Sequence, residues 1–168
     1  GSKITGCVRS MLILGIDPGS VTMGYGIISH IAGKSSYVTS GCIKLGKLDW
    51  ALRLKQIFLD LTEIINQHAP QQVAIEKVFV DKNVASALKL GQARGVAIAA
   101  AACQDLLIAE YAAREVKQAI VGYGNADKFQ VQQMVKTILN LNALPTIDSA
   151  DALAIALCHG NNIRRELA

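Results

Sequence analysis

The apolar segment Met11–Asp17 (MLILGID) most constrains the fold of this 168-residue chain. A continuous apolar run that stops at Asp-Pro-Gly is typical of a central strand buried on both faces of a sheet. Val73–Glu76 (VAIE) has the same form and also ends in an acid. Because a carboxylate that leaves a core is costly to desolvate unless it is paired or bound to a cation, Asp17 and Glu76 are candidate site residues.

The other periodic segments predict three further strands and five helices. Their order, β-β-β-α-β-α-β-α-α-α, predicts an α/β fold with a mixed five-stranded sheet and helices on both faces. Right-handed crossovers place the strands that end at Asp17 and Glu76 side by side, so that both acids lie at one rim of the sheet. The predicted strands are Gly24–Ile31, Ser35–Lys44 and Leu106–Glu110, and the predicted helices begin near Asp49, Asn83, Ala112, Lys128 and Ile147 and end near His68, Gln104, Val121, Leu141 and Asn161.

Length and composition predict one domain with a full hydrophobic core, since 51% of the residues are hydrophobic. Residues 1–10 are predicted to be an expression leader or tag remnant, because the apolar pattern begins at Met11, and residues 11–168 to form the domain. The longest apolar run, Val96–Cys103, is too short to span a bilayer. No membrane association is therefore expected, and the protein is predicted to be cytoplasmic.

Two further patterns concern packing. The cysteines lack the spacing of a zinc site, and those that lie in apolar segments are expected to be buried, reduced thiols. Small residues recur every four positions in the helix that begins near Asn83, which predicts close packing of that helix on its own sheet or, alternatively, on a second subunit. The cysteines concerned are Cys42, Cys103 and Cys158, and the small residues are Gly91, Gly95, Ala99 and Cys103.

A second pair of acids, Asp148 and Asp151, lies at the predicted start of the last helix. Residues three apart share a helix face, and the helix dipole favours negative charge in the first turn, so simple capping is one explanation. For Asp17 the corresponding explanation is a turn formed by Asp-Pro-Gly. Taken together, the four acids match the ligand set of a phosphodiesterase that uses two divalent ions ~3.5–4 Å apart. Carboxylate oxygens are the ligands that Mg²⁺ prefers.

Charge adds a weaker indication. The chain has 17 basic and 13 acidic residues, which give a net charge of +4. If the four acids hold metal, the remaining surface is more positive and suits a polyanion such as DNA. The alternative is a mildly basic soluble protein, and charge alone does not decide between the two.

Four segments carry a resemblance to a known family: LGIDPGSVTMGYG, AIEKVFVDKNVASALKLGQARGVA, EYAAREVKQAIVGYGNADKFQVQQMV and DSADALAIA. In order and spacing they resemble the RuvC family of bacterial Holliday junction resolvases. The resemblance implies a ribonuclease H-like fold and a homodimer that nicks two opposing strands of a four-way DNA junction symmetrically, in homologous recombination and DNA repair. It also implies two Mg²⁺ ions per site during catalysis, with Mn²⁺ as a substitute, and a water nucleophile.

The same resemblance assigns roles to individual residues. It makes Asp17, Glu76, Asp148 and Asp151 the metal-binding catalytic acids, and none of the four is substituted. Phe79 matches an aromatic used against bases at the junction, where stacking is worth ~1–3 kcal/mol per base. Its alternative is a core phenylalanine. The remaining DNA-binding candidates are Lys117 and Lys128, which match basic residues needed for activity, and Lys82, Lys89, Arg94 and Arg114, which are expected to grip the DNA backbone.

The resemblance further implies RuvA and RuvB, the branch-migration proteins, as partners. Two other functions stay open from the residues alone. One is a different ribonuclease H-like nuclease that acts on RNA or on another branched DNA. The other is an actin-like ATP-binding protein, whose first strand also ends in Asp-x-Gly, although that class generally needs two such domains.

Overall fold

The structure of the chain, a computed structural model, describes residues 10–79 and 82–166. The predicted leader, apart from Ser10, lies outside the described residues. The observed order of elements is the predicted one. The strands are β1 (Met11–Asp17), β2 (Thr22–Ile31), β3 (Lys34–Lys44), β4 (Gln72–Glu76) and β5 (Leu107–Tyr111), and the helices are α1 (Trp50–His68), α2 (Val84–Ala102), α3 (Ala113–Val121), α4 (Lys128–Ile138) and α5 (Ile147–Glu166).

The five strands form one mixed sheet in the order β3-β2-β1-β4-β5. The hairpins β1–β2 and β2–β3 are antiparallel, whereas β1–β4 and β4–β5 are parallel. The last β1–β4 pair is Ile16 with Ile75, so Asp17 and Glu76 are the next residue of each strand. The predicted adjacency of the two acid-ended strands is therefore confirmed.

Two hydrophobic clusters cover the two faces of the sheet. Leu14 of β1 packs with Ile57 of α1 and Ala97 of α2, whereas its neighbour Ile13 packs with Val135 of α4 on the other side. Since successive strand residues point to opposite faces, burial on both sides explains why the β1 sequence is apolar throughout. Helices on both faces were predicted and are confirmed.

Helix α5 lies directly on the sheet because glycines of β1 and β2 leave room for its backbone. A Cβ atom built at Gly15 would stand 2.1 Å from the carbonyl oxygen of Ala152, and one at Gly24 would stand 2.4 Å from that of Asp148. At Gly26 the nearest atom would be Leu153 Cδ2 at 2.7 Å. None of these distances is sterically allowed, so the glycines fix how closely the acid-bearing end of α5 approaches the strands.

The prediction that the small-residue stripe packs on its own sheet is wrong, while the alternative of packing on a second subunit stays a prediction. Gly91, Gly95, Ala99 and Cys103 are all exposed, and a Cβ built at either glycine would meet nothing within 4 Å. The sheet-facing side of α2 is instead a second set of small residues, namely Ala93, Ala97, Ala100 and Ala101. Both sets recur at helical spacing, so composition alone could not tell which one faces inward.

Other differences are local. Cys103 is exposed and Cys42 half-buried, so the prediction of three buried thiols is correct only for Cys158.

Helix α4 ends at Ile138 rather than near Leu141. Asn140 adopts a left-handed conformation with φ of 52°, and the Leu141 amide donates back to the Lys136 carbonyl. Within the described residues, no helix is both long and apolar enough to cross a membrane.

Candidate active site

A cleft of about 320 Å³ opens where the carboxyl ends of β1 and β4 meet the first turn of α5. Asp17, Glu76 and Asp151 line it, one from each of these elements. Asp17 and Glu76 are brought together by the strand register, and Asp151 by the seating of α5 on the glycines. The sequence-based expectation that acids from separate segments meet at one rim of the sheet is thus met for three of the four.

Asp148 lies at the margin rather than in the cleft. Its Oδ2 is 4.0 Å from the Cys42 Sγ of β3, a weak thiol hydrogen bond, and it is not among the residues that line the cleft. The side-chain cap of α5 is Thr146, whose hydroxyl accepts the Ser149 amide at 3.3 Å, while Asp148 lies in the first turn, where the helix dipole favours negative charge. Asp148 is nevertheless close enough for its charge to raise the pKa of both Asp17 and Asp151.

The three acids in the cleft hold protons unusually tightly. Burial, followed by the charges of Glu76 and Asp151, raises the pKa of Asp17 from 3.8 to about 8. Burial likewise raises the pKa of Asp151 to about 6. Burial also raises the pKa of Glu76, although the hydrogen bond from protonated Asp17 and the charges of Lys117 and Lys128 oppose the rise. The cluster therefore carries more negative charge than its surroundings can stabilise, and it needs a proton or a cation.

The chemistry of these donors fits a hard divalent cation. All are carboxylate oxygens, the ligand type that Mg²⁺ and Mn²⁺ take in proteins. Among residues 10–79 and 82–166, however, no three His, Cys, Asp or Glu side chains already stand in metal-binding geometry. The hydrogen bond that joins Asp17 to Glu76 lets a proton offset part of the negative charge that a bound cation would otherwise offset. Loading the site therefore requires loss of that proton and a small adjustment of the side chains.

Two lysines complete the cleft. Lys117 of α3 and Lys128 of α4 both line it, and their charges lower the pKa of Glu76 and of Asp151. Lys117 is half-buried and Lys128 is exposed, and both side chains border the cleft. Cations that face a cluster of acids across a cleft are well placed to hold a phosphate that bridges the two.

The other predicted DNA-binding residues lie outside the cleft. Phe79 follows Glu76 by three residues and is 68% exposed, so its interpretation as a core phenylalanine is wrong. Lys82 is exposed at the approach to α2, and the exposed Arg114 rests its side-chain stem against Gly124 in the loop between α3 and α4. Lys89 lies over the Trp50 ring, with Nζ 5.4 Å from the ring centroid.

The Arg94 guanidinium binds two acceptors within the protein. Its Nε donates to the carbonyl oxygen of Glu76 at 2.9 Å, and its Nη2 lies 2.6 Å from Glu110 Oε1. Its side chain is only 17% exposed. The expectation that Arg94 grips the DNA backbone stays a prediction, and the structure shows that its guanidinium already binds Glu76 and Glu110. No sequence signal distinguishes it from its exposed basic neighbours.

The sequence of this chain is similar to those of one known protein family. A sequence model described as "Crossover junction endodeoxyribonuclease RuvC" matches residues 13–159. The protein of that name from Pseudoalteromonas translucida is 56% identical over 151 residues, which cover 90% of this chain and 87% of the relative. The one from Citrobacter koseri is 57% identical over 148 residues, covering 88% and 86%.

Solved structures agree. "T. thermophilus RuvC in complex with Holliday junction substrate" superposes with a TM-score of 0.86 at 33% identity, covering 93% of this chain and 96% of that one. The yeast mitochondrial Holliday junction resolvase Ydc2, at 13% identity and a TM-score of 0.67 over 98% and 87% of the two chains, shares the fold. The fold is thus ribonuclease H-like, as predicted, and the chain belongs to the RuvC family of crossover junction endodeoxyribonucleases.

Proposed function

We propose that this chain resolves four-way DNA junctions by symmetric paired nicks, as a structure-selective endonuclease of homologous recombination and DNA repair. The observation that carries the proposal is the cleft in which Asp17, Glu76 and Asp151 face Lys117 and Lys128. Family membership supports it, and the relative solved on a Holliday junction provides the substrate class. Neither the RNA nuclease nor the actin-like alternative is favoured by these matches.

The proposed division of labour follows from charge. Asp17, Glu76 and Asp151, with Asp148 at the margin, would hold two divalent ions, Mg²⁺ by preference and Mn²⁺ as a substitute. When bound, such ions supply Lewis-acid activation of water and of the scissile phosphate. Lys117 and Lys128 hold that phosphate against the acids. Since water is the nucleophile, no covalent link between protein and DNA forms.

Other residues of the chain are proposed to contact the junction away from the cleft. The exposed Phe79 ring stacks on an unpaired base, and the exposed Lys82 and Arg114 contact phosphates. These contacts select the branched substrate, because stacking requires a base that has left its duplex.

A homodimer is proposed through the exposed face of α2. Gly91, Gly95 and Ala99 leave this face open to close approach by a second copy, and the exposed Leu88 beside them offers apolar area. A two-fold dimer presents two copies of one cleft to two equivalent strands. Residues 11–168 are proposed as the functional unit, cytoplasmic, with RuvA and RuvB as partners.

The test is cleavage of an end-labelled synthetic four-way junction beside a linear duplex of the same sequence, with Mg²⁺, Mn²⁺ or Ca²⁺. We expect paired nicks in the junction with Mg²⁺ and Mn²⁺, and no cutting of the duplex. With Ca²⁺ we expect binding without cutting, because its looser coordination does not organise the attacking water. Equal cutting of junction and duplex would refute structure selectivity.

A further inference from the structure

Arg94 of α2 reaches the active-site end of β4 with its guanidinium. One donor of its guanidinium meets the Glu76 carbonyl at 2.9 Å and another meets Glu110 of β5 at 2.6 Å. Glu76 is one of the three acids that line the cleft, whereas the half-exposed Glu110 side chain lies outside it. Arg94 thus connects the backbone of a catalytic acid to the neighbouring strand.

The end of β4 is held by the sheet on one side only. Its pairing with β1 stops at Ile16 and Ile75, and β1 is followed by Pro18, which has no amide hydrogen to continue the ladder, whereas Glu76 still pairs with Tyr111 of β5. On the β5 side, the Lys77 amide donates to the Tyr111 carbonyl at 2.8 Å. Beyond it the chain leaves the sheet toward Phe79. Arg94 Nε thus adds a side-chain donor to the Glu76 carbonyl at the point where the sheet ends.

Glu110 gives that donor a fixed direction. A guanidinium is a planar fork, so a carboxylate that binds Nη2 also sets the orientation of Nε. A lysine ammonium has enough donors for both acceptors but lacks the planar fork that fixes the two directions relative to each other. The orientation matters because the Glu76 carboxylate shares one cleft with Asp17 and Asp151, so a shift of its backbone changes its position relative to both.

Arg94 does not act as a cation of the cleft. It is absent from the cleft lining, and the cations that lower the pKa of Glu76 are Lys117 and Lys128. Its influence on the carboxylate therefore passes through the backbone that carries it.

We propose that Arg94, oriented by Glu110, is a positioning residue that holds the Glu76 backbone, and with it the Glu76 carboxylate, in place for strand cleavage. The inference rests on the proposed function only for its catalytic consequence. The mechanical part, a β4 end held by Arg94, concerns the protein without metal or DNA.

The experiment compares Arg94→Gln, Arg94→Lys and Glu110→Gln with wild type. The matched controls are Lys55→Gln and Glu63→Gln, which remove an exposed charge of each sign from α1. Hydrogen exchange of the Glu76 and Lys77 amides is measured without metal or DNA. Single-turnover cleavage of a four-way junction is measured with saturating enzyme and Mg²⁺, and junction affinity with Ca²⁺ in place of Mg²⁺.

For Arg94→Gln we expect exchange at Glu76 and Lys77 at least ~10-fold faster and cleavage at least ~10-fold slower, with junction Kd within ~3-fold of wild type. Arg94→Lys and Glu110→Gln should lie between Arg94→Gln and wild type in both rate and exchange. Both controls should match wild type.

Wild-type cleavage and exchange in Arg94→Gln would overturn the proposal. So would a raised junction Kd with an unchanged cleavage rate, which would make Arg94 a DNA contact. If Arg94→Gln does not fold, Arg94→Lys and Glu110→Gln decide, and wild-type behaviour of both overturns it. A wild-type protein that leaves junctions uncut would refute the proposed function, while the exchange data would still test the Arg94 contact.

Discussion

At the scale of single residues, the site is defined by an excess of negative charge held out of water. Asp17 is stable in the folded chain as a protonated acid that donates to Glu76, an arrangement that a neutral amide can imitate. A proton or a cation that neutralises Asp17 therefore also stabilises the fold. The charged carboxylate that metal binding needs is the form that destabilises the metal-free protein.

Asp17→Asn should stabilise the metal-free protein increasingly as pH rises. The pKa of Asp17 is raised from 3.8 to about 8, so the stability due to its proton is full below the lower value and is lost as pH rises through the higher one. In EDTA, the free energy of unfolding of the variant should exceed that of wild type by ~1–3 kcal/mol more at pH 8 than at pH 5. Calorimetry at both pH values, with and without Mg²⁺, measures this difference.

The same variant should lose cleavage by at least ~10³-fold while keeping junction affinity. A stability difference that does not change between pH 5 and pH 8 would contradict the assignment of the shared proton to Asp17. If Mg²⁺ reduces the difference in unfolding free energy between Asp17→Asn and wild type, that result would support cation binding without reference to activity.

Phe79→Ala should separate stacking from packing. Because the ring is 68% exposed, we expect unfolding free energy to change by no more than ~0.5 kcal/mol. Junction cleavage should fall by about 10-fold, in line with the loss of one stacked base. Leu107→Ala is the control, since Leu107 is 77% exposed on β5 and has no proposed contact with DNA. A large loss of stability in Phe79→Ala would argue for a structural role instead.

At the scale of elements, the site depends on the contact between α5 and the β1–β2 hairpin. Gly15 and Gly24 allow the α5 backbone to lie against the strands, which brings Asp151 to the acids at the ends of β1 and β4. The acids themselves come from short, strongly apolar segments. The arrangement is therefore set by main-chain packing more than by side-chain contacts.

Gly15→Ala should damage both stability and cleavage. The new methyl group would stand 2.1 Å from the Ala152 carbonyl oxygen, so α5 must shift. We expect a loss of ~1–3 kcal/mol in unfolding free energy and a lower cleavage rate. In the control Gly46→Ala, the new atom would meet only the exposed Val21 side chain at 3.1 Å, and the effect should be small. Urea titration of both variants measures the stability, and equal effects would contradict the role of Gly15.

Some elements of this fold are encoded by local sequence patterns, and others depend on tertiary packing. The acid-ended strands were predictable, because burial on both faces leaves an unmistakable apolar run in β1 and β4. The inward face of α2 was not, since two sets of small residues share its surface. The contact of Arg94 with Glu76 depends on how α2 crosses β4, which no local pattern encodes. Asp148 was predicted among the acids, but its position beside Cys42 follows only from the packed structure.

At the scale of the whole molecule, the two helical layers have different tasks. Helices α3, α4 and α5 supply Lys117, Lys128 and Asp151 to the cleft. Helices α1 and α2 cover the opposite face and leave one side of α2 open. Catalysis and the proposed subunit contact therefore lie on opposite sides of the sheet.

Gly95→Glu should convert the protein to a monomer without unfolding it. A Cβ at Gly95 meets nothing within 4 Å, so one chain accommodates the side chain, whereas a two-fold contact would bring two new charges together. Sedimentation equilibrium should show about half the wild-type mass, and paired nicking should be lost. Ala119→Glu, on the exposed side of α3, is the control. A dimeric Gly95→Glu would place the subunit contact elsewhere.

The close contact of α5 with Gly15 and Gly24 affects how the cleft can deform. Main chain rests against main chain at Gly15 and Gly24, with no flexible side chain between helix and strands to compress or rotate. The cleft is therefore stiff along the direction perpendicular to the sheet and more compliant within the plane of the sheet. We therefore expect a bound junction to displace α3 and α4, which carry the lysines, more readily than α5, which carries Asp148 and Asp151.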